Sequence, residues 1–118
     1  MKNTLQDIEQ LRSEFQSCQK IFTALGDENR QHLLCIMLGS ECSGSRVVEI
    51  AEKTNLSRPA VSHHMQILKD AGIVKTRKEG TYVYYYLAPD KKEIEKMIVL
   101  FSNIQRVMKN VPNRSGEE

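Results

Sequence analysis

A mainly α chain with a single small β-hairpin (α+β) is the fold class this sequence predicts. Three observations predict it. Apolar residues recur at spacings of three and four through most of the 118 residues, the pattern of amphipathic helices. One stretch, 73–87, instead alternates and breaks at a glycine beside charged residues, as a hairpin does. Thr4, Asp27, Ser45, Ser57 and Asp90 stand where helices would begin.

Leu5, Ile8, Leu11, Phe15 and Cys18 share one face of a first helix over residues 4–18, with Thr4 as cap and Asp7 at its third position. The pattern runs on through Ile21, Phe22 and Leu25 to Gly26. Asp27 caps the next helix, and Glu28 suits its first turn. Leu33, Leu34, Ile36, Met37 and Leu38 make that helix apolar over most of its surface, which predicts a central position; Gly39 stops it. GSECSGS (39–45) is a loop by composition.

Ser45 is the expected cap of a short helix reaching about Lys53 and burying Val47, Ile50 and Ala51. TNL (54–56) turns the chain, and Ser57 caps a second helix with Pro59 in its first turn, where a missing N–H costs nothing. Ala60, Val61, Met65, Leu68 and Ala71 form its apolar face, and Gly72 ends it. Two short helices joined by a tight turn make a helix-turn-helix. Ile73–Arg77 and Thr81–Leu87 read as strands about a Lys78-Glu79-Gly80 turn. Pro89-Asp90 opens the last helix, with Asp90 and Glu93 as a capping pair. Its stripe is Ile94, Met97, Ile98, Phe101, Ile104 and Met108, with Val107 alongside, and Pro112 ends it. The expected organisation is one domain over 1–111 and a disordered tail over 112–118.

Composition narrows the function classes. Forty per cent hydrophobic and 27% charged is ordinary for a globular chain. No apolar run is long enough to span a bilayer, and the N-terminus carries no secretion signal, so no membrane partner and a cytoplasmic location are expected. There is no phosphate loop, nucleophile elbow or paired metal-ligand motif, which argues against an enzyme. Net charge is only +2, but residues 43–88 hold seven basic and four acidic residues, +3, against −1 for the remainder. Of the three cysteines, no two stand at zinc-knuckle spacing, and an odd number does not suit a disulfide scaffold. Cys18 and Cys35 read as buried small hydrophobes, and Cys42, within the Gly/Ser loop, as more exposed.

A polar-studded helix followed at once by a basic hairpin suits double-stranded DNA. A helix fits the major groove, whose base edges need donors and acceptors from one helix face. Arg58, Ser62, His63 and Gln66 are the outward residues near the start of the 58–71 helix, with Ser57 and His64 beside them. Arg suits guanine, Gln suits adenine, and Ser or His reaches bases or phosphates. Lys75, Arg77, Lys78 and Thr81 offer the hairpin to a phosphate or a minor groove. His63 and His64 point about 100° apart on a helix, a poor arrangement for a shared ion; they read as DNA-facing or structural. The YVYYY run (82–86) reads as the two faces of one strand rather than a base-stacking platform. The apolar stripes of the first and last helices, Leu5, Ile8, Leu11, Phe15, Ile94, Met97, Ile98, Phe101 and Ile104, exceed what one small core covers. They predict a homodimer interface, the alternative being that both helices pack only on their own domain.

From about Phe22 to Leu87 the chain resembles the ArsR/SmtB family of winged-helix repressors. FTALGDENRQHLLCIML (22–38) looks like that family's opening helix, and LSRPAVSHHMQILKDAGIVKTRKEGTYVYYYL (56–87) like its recognition helix and wing. The resemblance implies a winged helix-turn-helix dimerising through its first and last helices, binding an inverted repeat and released by an effector. The chain departs from the family's two main metal sites. The positions of a Cys-x-Cys motif look like Arg46 and Val48, which cannot ligate, and the last helix has Asp90, Glu93 and Glu95 but no histidine. No cofactor and no metal at those sites is therefore expected. Thiols are the remaining specific idea: Cys18 and Cys35, with Cys42, binding arsenite or another soft ion or forming a disulfide. Ordinary buried thiols, a small organic effector near the dimer interface, or no effector are the other readings. A winged helix used only for protein contact is the rival function; it would lack the Arg, Gln and basic wing seen here.

Overall fold

The computed structural model describes residues 3–40 and 43–116. Six helices and one hairpin follow in the order α1 (Leu5–Ser17), α2 (Gln19–Leu25), α3 (Glu28–Leu38), α4 (Val47–Glu52), α5 (Arg58–Asp70), β1 (Val74–Glu79), β2 (Tyr82–Leu87) and α6 (Lys91–Met108). They form two compact units: residues 20–90, and the two ends of the chain, 1–19 with 91–118. Among the described residues no helix is long and apolar enough to cross a membrane.

In the unit made by the chain ends, α1 and α6 run antiparallel, as their cross-links show. Asn3 bonds to Asn110 and to the Val107 carbonyl, Asp7 meets Arg106 at 3.4 Å, and Glu14 takes both its bonds from Asn103 Nδ2 at 2.8 and 2.9 Å. The expected capping box at Thr4 and Asp7 is present. The Thr4 backbone N–H and hydroxyl both donate to Asp7, and with Arg106 they hold its carboxyl below the usual carboxylate range. The expected run from α1 into α2 is interrupted at Cys18, whose N–H closes on the Glu14 and Phe15 carbonyls as a C-cap. Leu100 and Val107 are the buried residues of α6. The stripe read from the sequence is not: Leu5 is 82% exposed, Ile98 58% and Phe101 52%, with Ile8 and Phe15 also exposed and Leu11, Ile94, Met97 and Ile104 half-buried.

The core of the central unit is Ile21, Ala24, Leu33, Met37, Ile50, Val61, Met65, Leu68, Ala71, Ile73 and Val74. Asp27 caps α3 as expected, accepting from the Arg30 N–H. The helix is less engulfed than its composition predicts: Leu33 and Met37 are buried, whereas Leu38 is 75% exposed and Cys35 is exposed rather than buried. Ser45 does not cap α4. Arg46 holds that position, its N–H donating to Glu49, because Ser45 is taken by a one-residue bridge to Tyr85, with Ser45 N to Tyr85 O at 2.9 Å and Tyr85 N to Ser45 O at 2.8 Å. Of the expected α4 core residues only Ile50 is fully buried; Val47 and Ala51 are half-buried.

Ser57 caps α5 through the Ala60 N–H with Pro59 in the first turn, and Val61, Met65, Leu68 and Ala71 are buried as expected. The hairpin pairs Val74 with Leu87 through to Glu79 with Tyr82. Its turn is therefore Gly80-Thr81, two residues long, and Lys78 and Glu79 belong to the strand. Gly80 has φ +61, the conformation a tight hairpin turn of the primed kind needs at its first central residue. The last helix begins at Lys91, and the Asp90 N–H bonds back to the Gly72 carbonyl.

Candidate nucleic-acid interface

Helices α4 and α5, with a turn over residues 53–57, form the helix-turn-helix. Thr54 shapes the turn: its hydroxyl donates to the Ala51 carbonyl and accepts from the Leu56 N–H. Burial of Val61, Met65 and Leu68 orients α5, and what remains outward is Ser57, Arg58, Ser62, His63 and Gln66, all exposed. Arg58, Ser62 and Gln66 repeat every fourth residue and so lie along one line of the helix surface. Gln66 Nε2 donates to Asp70 at 2.9 Å, which fixes the amide along the helix axis.

His64 is the residue that does not belong to that face. It is mostly buried, and its Nδ1 lies 3.2 Å from Arg30 Nη1 and 3.9 Å from Asp27. Arg30 is itself buried in α3, its Nε donating to the Ala24 carbonyl and its Nη2 to that of Thr23, both at 2.8 Å. The histidine reading divides accordingly: His63 outward, His64 inward.

On the hairpin, Lys75, Lys78 and Thr81 are exposed and Arg77 is half-exposed. Residues 75, 77 and 79 share a face with Tyr82, Tyr84 and Tyr86 by the pairing register. Arg77 is held on that face. Its guanidinium carbon sits 5.0 Å from the Tyr84 ring centre, its Nε donates to Glu79 at 2.9 Å, and its Nη1 donates to the Ser43 carbonyl at 2.7 Å. Arg46 lies 4.5 Å over Tyr82 and 3.4 Å from Glu49. Among the described residues, Arg58, Lys75 and Lys78 make no ion pair. Sequence reading missed Arg30, Arg46 and the Ser45–Tyr85 bridge. Arg30 sits within a polar run, ENRQH (28–32), and its one signal is spacing: it stands three residues before Leu33 and seven before Met37, both buried.

Cys18 is fully buried and Cys35 is exposed, both as free thiols, in separate units. The expectation for Cys42 falls outside the described residues. Among the described residues no three His, Cys, Asp or Glu side chains gather as metal ligands.

Comparison with known proteins agrees with this geometry. Residues 27–76 match the family model described as bacterial regulatory protein, arsR family. Over 86 residues the chain is 41% identical to an uncharacterized HTH-type transcriptional regulator of Methanocaldococcus jannaschii, a match covering 72% of this chain and 94% of that one. It is 34% identical over 67 residues to the transcriptional repressor SdpR of Bacillus subtilis, covering 57% of this chain and 71% of that one. An ArsR-like transcriptional regulator from Rhodococcus sp. RHA1 superposes with a TM-score of 0.65 over 80% of this chain and 83% of its own, at 22% identity, a likeness of fold alone.

Proposed function

This chain belongs to the arsR family of bacterial regulatory proteins, DNA-binding transcriptional regulators rather than enzymes, and on that premise we propose that it acts as a homodimeric repressor of an inverted-repeat operator. One observation carries the reading: Arg58, Ser62 and Gln66 lie in line on the outward face of α5, beside a hairpin bearing Lys75, Arg77, Lys78 and Thr81. Arg58 and Gln66 read base edges, Ser57, Ser62 and His63 bind phosphate or base, and the wing cations bind the backbone. His64 supports α5 from behind. The exposed apolar residues Leu5, Ile8, Phe15, Ile98 and Phe101 support pairing with a second copy through the first and last helices. Two-fold symmetry then separates the two recognition helices by about one turn of DNA.

Release is proposed to run through thiols, Cys18, Cys35 and Cys42, on binding arsenite or another soft ion or on oxidation by peroxide. Exposed Cys35 favours that reading, since it is open to such reagents. The test is selection of duplexes from a random pool, followed by fluorescence anisotropy on the selected duplex and a scrambled control. An inverted repeat bound as a dimer, and released by arsenite or peroxide only while the cysteines are present, is the expected result. Failure to enrich any sequence would sink the operator reading. Release that persists in a cysteine-free variant would sink the thiol step.

A further inference from the structure

We propose that Arg30 and His64 are positioning residues for DNA reading, a latch that sets recognition helix α5 against α2 and α3 and holds only while His64 Nδ1 is unprotonated. The inference rests on the reading of α5 as the recognition helix. Its origin is a buried cation whose bonds run in two directions. Arg30 Nε and Nη2 donate to the Ala24 and Thr23 carbonyls at the end of α2, where helix carbonyls lack partners within the helix. Arg30 Nη1 faces the middle of α5, where it meets His64 Nδ1 at 3.2 Å, and also lies 3.9 Å from Asp27 Oδ2, the carboxylate shared with His64.

Arginine has donors only, so that contact is a hydrogen bond only if Nδ1 carries the lone pair and Nε2 the proton. His64 stands two residues after Ser62 and two before Gln66. A shift of the imidazole therefore moves the outward residues on both sides of it.

The groups around His64 define the alternative state. Asp27, the cap of α3, lies 3.9 Å from the same Nδ1, and His63 is its ring neighbour on α5, with centroids 5.8 Å apart. Among the described residues His64 makes no ion pair with α4 or the hairpin. A proton on Nδ1 removes the acceptor that Arg30 uses, places two cations together and turns the N–H toward Asp27. The imidazole thus has one partner when neutral and another when charged, a two-position contact under the recognition helix.

The test uses the full chain, as wild type, His64→Gln, His64→Leu and Arg30→Met. Glutamine keeps an acceptor without titrating, and leucine keeps bulk without an acceptor. Affinity for a duplex selected by the wild type, and for scrambled duplex, is measured between about pH 8 and about pH 5, the range in which imidazoles change charge. The ratio of the two affinities cancels the general effect of surface histidines such as His32 on phosphate binding, and each variant is repeated with His63→Gln so that an acid response of His63 at a base is removed. We expect His64→Leu to lose roughly ten-fold or more in the selected-to-scrambled ratio, the scale of one buried charge-assisted bond. His64→Gln should restore most of the ratio, and the fall in ratio on acidification should be absent in it. Thermal melts check that each variant is folded. Nitrogen NMR of the imidazoles reads the latch without DNA: Nδ1 of His64 should be the unprotonated, acceptor nitrogen, and its shift should move in Arg30→Met. Equal ratios in wild type and His64→Leu, an acid response retained in His64→Gln, or a proton on Nδ1 at neutral pH would each overturn the proposal. If the wild type selects no duplex, the regulator reading fails, and the imidazole spectrum still decides whether Arg30 and His64 are joined.

Discussion

Replacing Gly44 by alanine should loosen the wing far more than the same change at Gly80, although both glycines have positive φ. Gly80 (φ +61) sits at the hairpin tip, and a Cβ built there meets nothing within 4 Å. Its cost is the left-handed backbone alone, about 1 kcal/mol. Gly44 has φ +111, and a Cβ there lies 2.9 Å from the Tyr85 carbonyl oxygen. That oxygen accepts from Ser45 N, so it cannot swing away without breaking the bridge that ties β2 to the start of α4. Adding two strained backbone bonds at about 1 kcal/mol each brings the total to about 3 kcal/mol. For a unit of this size that corresponds to a fall in Tm of roughly 15 °C, against roughly 5 °C for Gly80→Ala. Circular dichroism melts of the two variants beside wild type are the assay. If Gly44→Ala melts within about 2 °C of Gly80→Ala, the bridge is not the constraint described and the reasoning fails.

Three further outcomes are expected. Arg58→Ala and Gln66→Ala should each weaken binding to a selected duplex by roughly ten-fold or more with little effect on scrambled DNA, while Lys78→Ala weakens both alike and lowers the salt slope by about one, read by anisotropy across a salt series. Phe101→Glu, placing a carboxylate on the exposed α6 face, should shift the chain to monomer in light scattering while leaving the melt of the central unit unchanged. Asp7 has its carboxyl pKa lowered by folding, so its contribution to stability is present above the unfolded value and is lost as pH falls through the folded one; urea midpoints followed from about pH 5 to about pH 2 should decline less in Asp7→Asn than in wild type.

The features legible in the sequence are the local ones. Caps at Thr4, Asp27 and Ser57 need only a side chain and an N–H three residues on, and all three are present. The inner face of α5 followed from spacing alone. The same spacing held the answer for His64, three residues after Val61 and four before Leu68, both buried, but read by residue type it stood only as DNA-facing or structural. Ser45 failed as a cap because a partner forty residues away claimed it, and nothing local announces such a bridge. Likewise the break at Cys18 carries no glycine or proline, and the apolar spacing passes through it unchanged. Leu5, Ile8, Phe15, Ile98 and Phe101 of the apolar stripes are exposed, whereas Leu100, which packs inward from α6, was absent from the stripe read from the sequence.

Two neighbouring cations of the wing, Arg77 and Lys78, differ in how much freedom they have left to lose. Arg77 lies over Tyr84 and is bonded to both Glu79 and Ser43 before any partner arrives, whereas Lys78, one residue on, is exposed and makes none of these bonds. A long cationic side chain carries about 2 kcal/mol of rotamer entropy, most of which Arg77 has already surrendered in folding. Association therefore freezes little at Arg77 and much at Lys78. The stiff cation presents a charge at one defined place and can favour one groove width over another. In the proposed complex with DNA, the loose one would follow whatever phosphate is nearest. A single strand of the hairpin thus carries a gauge and a tether side by side.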